Sequence, residues 1–82
     1  MGYDYPNTMT KNEKKIICFI INGERITIQR CLRGKWKEEK VIYKATTRFA
    51  LHVSLQDNSL RTLKWEDHGD KWKIIRKDEI YS

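Results

Sequence analysis

Hydrophobic residues alternate with other residues from Val41 to Leu55, with Thr47 as the one polar residue in the apolar phase. Successive side chains of a β-strand point to opposite faces of a sheet, so a period of two predicts one long bent strand or two strands in register. A short helix around residues 36–47 is the alternative, because the segment KEEK at 37–40 consists of good helix formers. The unbroken alternation favours the strand.

A β-hairpin is predicted for residues 14–32, where two runs rich in Ile and Thr flank the dipeptide Asn22-Gly23. Asn-Gly tolerates the positive φ angles of a type I′ turn. One face of this hairpin is apolar on both strands and is predicted to enter the core through Ile17, Phe19, Ile26 and Ile28. The other face is apolar on one strand only, through Ile16, Cys18 and Ile20. If exposed, this second set would form a patch suited to a homodimer.

The first thirteen residues are polar and show neither the strand repeat nor the helix repeat. We therefore expect a flexible amino-terminal arm at 1–13 and one small β domain at 14–82. Thr10 and Glu13 match the capping box that begins many helices, but the β-branched residues after them favour a strand.

Two further strands are predicted, one over residues 60–66 and one from Trp72 to about Tyr81, with polar turns at their ends. The aromatic residues that fall in the apolar phase, and are expected in the core, are Tyr43, Trp65 and Trp72. The predicted fold class is all-β, a small antiparallel five- or six-stranded barrel or strongly curved sheet. It becomes α+β if residues 36–47 form a helix.

The longest apolar run spans only six residues, from Ile16 to Ile21, whereas a membrane helix needs about 20. We expect a soluble, cytoplasmic protein that makes no membrane contact. The predicted hairpin separates the Cys18 and Cys31 thiols by roughly 13 Å, well beyond the reach of a disulfide. Both cysteines should therefore be free.

The charge of the chain is concentrated in one segment. The 82 residues contain 17 Lys and Arg and 11 Asp and Glu, a formal net charge of +6. Residues 1–24 and residues 49–82 each carry equal numbers of cations and carboxylates, so the whole excess lies within residues 25–48. There, only Glu38 and Glu39 oppose eight cations. This segment is the candidate for contact with a polyanion.

A single basic surface is expected if the strand that begins near Arg25 lies beside the segment that follows it, because Lys40, Lys44 and Arg48 then face outward with Arg25. Trp36 either stacks on a nucleic-acid base at the rim of this surface or covers one end of the core. The sequence thus predicts a small basic module that binds DNA or RNA with little sequence specificity. The predicted binding residues are Arg25, Arg30, Arg33, Lys35, Trp36, Lys37, Lys40, Lys44 and Arg48.

The alternative function is a protein-binding regulator or inhibitor, of the compact kind made by viruses and mobile elements, that docks on an acidic partner protein. Tyr, Trp and Arg are also favoured in protein interfaces, so composition does not separate the two functions. Catalysis is not predicted, because His52 and His68 have no nucleophile or orienting partner at a recognised spacing. We expect no cofactor and no metal site, and no motif is specific enough to indicate a family.

Overall fold

The computed structural model describes residues 7–78. The predicted end of the last strand near Tyr81 lies outside these residues, as do residues 1–6 of the predicted arm. The elements, in chain order, are α1 (Lys11–Phe19), β1 (Arg25–Leu32), β2 (Lys35–Thr46), β3 (Ala50–Ser54), β4 (Leu60–Lys64), a 3-10 helix (Trp65–Asp67) and β5 (Trp72–Lys77). Within this range, no helix combines the length and the apolar character needed to cross a membrane.

The five strands form one antiparallel sheet in the order β4-β3-β2-β1-β5. The first four strands follow one another as a meander, and β5 returns to pair with β1. Register shifts interrupt two of the pairings, between Thr27 and Ile28 and between Tyr43 and Ala45. Such irregularities bend and twist a sheet. The β-rich fold class is confirmed, but the sheet is not closed, so the barrel alternative is wrong.

The amino-terminal part of the predicted hairpin is a helix instead. The Thr10 hydroxyl accepts a hydrogen bond from the Glu13 N–H, and the Glu13 carboxylate accepts one from the Thr10 N–H, both at 3.1 Å. This complete capping box satisfies two of the N–H groups that a helix start leaves without partners. Ile17 and Ile20, three residues apart, are buried on the side that faces the sheet. The capping box therefore outweighed the β-branched composition.

The helix changes the position of several residues for which the hairpin was predicted. Ile20 is buried and Ile16 is partly buried, whereas Cys18 is exposed, so the apolar Ile16/Cys18/Ile20 face expected for a homodimer does not form. Phe19 was predicted in the core but is 70% exposed. Asn22-Gly23 connects α1 to β1, with Gly23 at a φ of 101°.

Residues before Lys14 also belong to the packed structure. Met9 and Glu13, which the sequence assigned to a flexible arm, are only 5% and 4% exposed. The ordered domain thus begins further towards the amino terminus than predicted. Cys18 and Cys31 are both free, as expected, although the hairpin geometry that led to this prediction is wrong.

The helix predicted as an alternative around residues 36–47 does not form, because these residues belong almost entirely to β2. The first hairpin of this sheet is β1–β2, and its turn is Arg33-Gly34, with φ angles of 54° and 79°. Positive φ at both central residues is the requirement of a type I′ turn. Arg33 is therefore a non-glycine residue in the left-handed region.

The core lies between α1 and the sheet and contains the predicted aromatic residues Tyr43, Trp65 and Trp72. The sheet contributes most of the remaining buried apolar side chains, which include Ile26, Ile28, Val41, Leu51, Val53, Leu63 and Ile74. The two core tryptophans lie with ring centroids 5.1 Å apart and tilted by 42°. Their N–H groups donate to the backbone carbonyl oxygens of Thr47 and Lys64.

A buried polar network fastens α1 to the rest of the fold. One oxygen of Glu13 accepts hydrogen bonds from His68 Nε2, at 2.5 Å, and from the Ile74 N–H, at 2.9 Å. Because a carboxylate only accepts, His68 Nε2 donates to Glu13, while Nδ1 lies within hydrogen-bond distance of the Thr8 hydroxyl oxygen, at 2.6 Å. His68, which the sequence placed in a polar turn, is thus a buried residue. It links the segment before β5 to Thr8 and Glu13 near the amino terminus.

Candidate nucleic-acid interface

The strands that carry the excess charge pair directly. β1 and β2 are antiparallel neighbours in an unbroken register that runs from Arg25 opposite Ile42 to Leu32 opposite Lys35. The adjacency predicted from the sequence is therefore confirmed. Directly opposed residues share a face, so Arg25 and Lys40 lie on the outer face, which is opposite to the face bearing Ile26, Ile28 and Val41.

The closed end of this hairpin projects beyond the rest of the sheet. β3 pairs with β2 only from Ile42 onward, and β5 pairs with β1 only as far as Arg30. We call residues 30–37 the hairpin arm. All residues from Leu32 to Lys37 are exposed, and the arm contains five of the nine predicted binding residues, namely Arg30, Arg33, Lys35, Trp36 and Lys37.

Trp36 lies on the outer face of the hairpin arm and does not cover the core. It is 38% exposed and stands opposite Cys31. The ammonium of Lys73, on β5, lies 4.6 Å from the centre of the indole ring, within the range of a cation–π contact. An aromatic ring and a cation are therefore held together on an exposed surface.

The cations of the hairpin arm lie on its inner face and at its tip. Lys37 stands opposite Arg30, and Lys35 stands opposite Leu32, so these side chains share the inner face and point away from Trp36. Arg33 occupies the turn itself. The arm thus presents positive charge on its inner face and at its tip, and presents Trp36 with Lys73 on its outer face.

The remaining predicted residues lie away from the hairpin arm. Arg25 and Lys40 line a shallow cavity of about 370 Å³ on the outer face, together with Ile42 and Gln56. Lys44 lies at the register shift near the far end of β2, and Arg48 lies in the following turn, 5.5 Å from the Phe49 ring centre. The nine predicted residues therefore form three groups along the β1–β2 hairpin instead of one continuous surface.

Most of these cations have no acidic partner in the described part of the chain. Arg30 forms an ion pair with Glu39, at 2.8 Å. Among residues 7–78, none of the other seven predicted cations has a carboxylate within ion-pair distance. In the second half of the chain, by contrast, acidic partners lie near Arg61, Lys71, Arg76 and Lys77. The excess charge found in the sequence is therefore also unneutralised in space.

Two cations near the hairpin arm were missed in the sequence. Lys73 and Arg61 belong to β5 and β4, in a part of the chain with no net charge. The similar segments GKWK and DKWK, at 34–37 and 70–73, were the one visible signal for Lys73. The return of β5 to the side of β1 was not encoded in any local pattern. Comparisons of this chain with protein-family models, with curated proteins and with solved structures find no match.

Proposed function

We propose that this protein binds nucleic acid through the β1–β2 hairpin. The observation that carries the proposal is a set of seven cations along β1, β2 and the turns that follow these two strands, none of which has a carboxylate partner within residues 7–78. Lys and Arg that meet phosphates release condensed counterions, which favours binding regardless of sequence. Cations already matched to carboxylates would gain less from the same contact.

Trp36 supports a single-stranded ligand in particular. Exposed aromatic rings among cations form stacking surfaces for unpaired bases, which any base can use. Lys73 lies close enough to Trp36 to contact the phosphate next to a stacked base. The expected ligand is a single strand of DNA or RNA, bound with little preference for sequence.

The backbone of the arm gives an independent argument. Arg33 holds a φ of 54° in the turn, a conformation that Asn or Gly adopts more readily than Arg. Strained backbone positions concentrate at functional sites. A cation at the tip of the hairpin arm, in spite of this strain, agrees with a role in binding.

Charge reversal of the hairpin arm tests the proposal. We expect the triple variant Arg33→Glu, Lys35→Glu and Lys37→Glu to lose binding to single-stranded DNA and RNA, measured by fluorescence anisotropy at two salt concentrations. Each lost phosphate contact should reduce the slope of log K against log salt by about 0.7. The matched control is Lys11→Glu, Lys14→Glu and Lys15→Glu, which changes the net charge equally on exposed positions of α1.

The control variant should retain most of the binding. Equal loss in both variants would indicate a response to net charge alone and would contradict a site on the hairpin. If the wild-type protein binds no nucleic acid but instead binds an acidic protein through the same three residues, the function is that of a protein-binding regulator and the proposal is wrong.

A further inference from the structure

A small cavity lies between β1 and β4, two strands of the open sheet that do not pair with each other. Its volume is about 290 Å³, near the lower limit for small-molecule sites. On one side it is lined by β1 at residues 30–32, and on the other by β4 at residues 61–64. Asp67, Lys71 and Trp72 complete the lining. β1 and β4 are not neighbours in the sheet, so the curvature of the sheet creates this site.

Two arginines are fixed in this cavity by one carboxylate. Glu39 Oε1 accepts hydrogen bonds from Arg30 Nε, at 2.8 Å, and from Arg61 Nη1, at 2.7 Å. Both arginine side chains are about three-quarters buried. Each guanidinium has five N–H donors and uses one on Glu39, and no other acceptor within residues 7–78 is in hydrogen-bond range. Two oriented groups therefore keep free donors.

The charge of the lining matches a dianion. Four cations line the cavity, namely Arg30, Arg61, Lys64 and Lys71. They are opposed by Asp67, 3.8 Å from Lys71, and by the shared Glu39, which leaves an excess of two positive charges. A phosphate monoester carries nearly two negative charges at neutral pH and has three acceptor oxygens. Guanidinium groups bind such oxygens in pairs.

The remaining lining is apolar. Leu63 and Trp72 are buried, and the indole N–H already donates to the Lys64 carbonyl oxygen, which leaves only the hydrocarbon part of the ring for a ligand. Leu32, which is exposed, lies beside them. A sugar or base attached to the phosphate would find an apolar wall here.

We infer that this cavity binds a phosphate monoester of the nucleoside 5′-monophosphate type, with Arg30 and Arg61 holding the phosphate. The phosphate is carried either by a free mononucleotide or by the 5′ end of a nucleic-acid strand. The inference does not rest on the proposed function, because Arg33, Lys35 and Lys37 do not line the cavity.

The first experiment compares adenosine 5′-monophosphate with adenosine by isothermal titration calorimetry. We expect the monophosphate to bind and adenosine not to bind. Arg61→Gln should weaken monophosphate binding at least about tenfold, since it removes charge-assisted hydrogen bonds. Arg76→Gln, a substitution on β5 outside the cavity, should leave the affinity unchanged.

A second variant covers the case in which Arg61→Gln destabilises the fold. Lys71 is 71% exposed, so Lys71→Gln removes a cation of the cavity without disturbing the core, and it should weaken binding by a smaller factor. Binding of the monophosphate that is equal to that of adenosine, or unchanged by both cavity substitutions, would overturn the inference.

The two sources of the phosphate are separated with an eight-residue thymidine oligonucleotide, with and without a 5′-phosphate. If the wild-type protein binds the phosphorylated oligonucleotide more tightly, and Arg61→Gln loses this preference, the ligand of the cavity is the 5′ end of a strand. Binding of the monophosphate without such a preference assigns the cavity to a free nucleotide. The triple variant of the hairpin arm should still bind the monophosphate, so failure of the proposed function and failure of this site have different signatures.

Discussion

Glu13 is an almost fully buried carboxylate on which three N–H groups converge, from His68 and from the backbone of Ile74 and Thr10. Burial alone would raise the pKa of this carboxyl group. The hydrogen bonds from His68, Ile74 and Thr10 outweigh burial and hold the pKa below its ordinary value. The ionised form of Glu13 therefore stabilises the folded protein.

We expect Glu13→Gln to lower the free energy of unfolding at neutral pH by about 1 to 3 kcal/mol, because one oxygen that accepts hydrogen bonds becomes an NH₂ group facing another donor. A carboxyl group whose pKa is lowered on folding stabilises the protein above its unfolded pKa, near about 4, and loses this contribution at lower pH. The difference between wild type and variant should thus shrink as the pH falls below about 4.

Urea unfolding at several pH values measures this difference. Glu66→Gln makes the same chemical change on an exposed side chain and should have little effect on stability at any pH. A Glu13→Gln variant as stable as wild type at neutral pH would contradict the role assigned to the buried network.

At the scale of elements, two dipeptides typical of hairpin turns, Asn22-Gly23 and Arg33-Gly34, form different kinds of connection. Asn22-Gly23 is the stronger hairpin dipeptide, yet it connects a helix to a strand. Arg33-Gly34 is weaker but forms the actual turn. The two segments pack differently, since Ile17 enters the core from α1 and Ile20 enters it from the residue that caps the helix. Local preference yielded to burial in the first case.

The turn of the hairpin arm couples stability to binding. Asn adopts a positive φ more easily than Arg, so Arg33→Asn should raise the free energy of unfolding by about 0.5 to 1 kcal/mol. The same substitution removes a cation and should weaken nucleic-acid binding. Chemical denaturation and anisotropy measure the two effects on one variant.

Lys35→Asn is the matched control, because it removes the same charge from a strand position and introduces a residue with low strand preference. It should weaken binding without raising stability. If Arg33→Asn raises the free energy of unfolding no more than Lys35→Asn does, the backbone of Arg33 is not strained, and the turn no longer supports a binding role.

At the scale of the whole molecule, the sequence predicts the regular part of the sheet well. The alternation from Val41 to Leu55 became β2 and β3, with Val41, Tyr43, Leu51 and Val53 buried as the phase required. Ala45 and Phe49, in the same phase, were expected to face inward but are exposed, because a register shift after Tyr43 and the turn before β3 interrupt the regular sheet. Adjacency of β1 and β2 follows from their short connection. The return of β5 to β1, and the cavity formed between β1 and β4, depend on contacts between distant segments for which no local repeat exists.

The sequence predicted where the candidate interface lies along the chain, but not to which face of the sheet each of its side chains points. Counting charges located the basic segment, and most of its cations have no carboxylate partner among residues 7–78. Directions depended on register, which the misplaced hairpin could not supply, so Trp36 and Lys37 were assigned to one surface although they lie on opposite faces. Because side chains alternate along a strand, neighbouring residues in a sequence separate in this way.

Protection of the backbone should vary strongly over the molecule. β1 lies between β2 and β5, with Ile26 and Ile28 fully buried, whereas the outer part of the hairpin arm pairs only with itself. Hydrogen exchange should therefore be slowest at residues 26–28 of β1 and much faster from Leu32 to Lys37. Equal protection in the two regions would show that the arm is covered in solution.

The contrast between Trp36 on the surface and the Trp65–Trp72 pair in the interior provides two built-in optical probes. A water-soluble quencher such as iodide reaches the surface indole first, so its access reports whether the hairpin arm is occupied. Emission from Trp65, which does not line the cavity between β1 and β4, shifts when the core opens. Ligand attachment and loss of structure can thus be followed separately in the unlabelled protein.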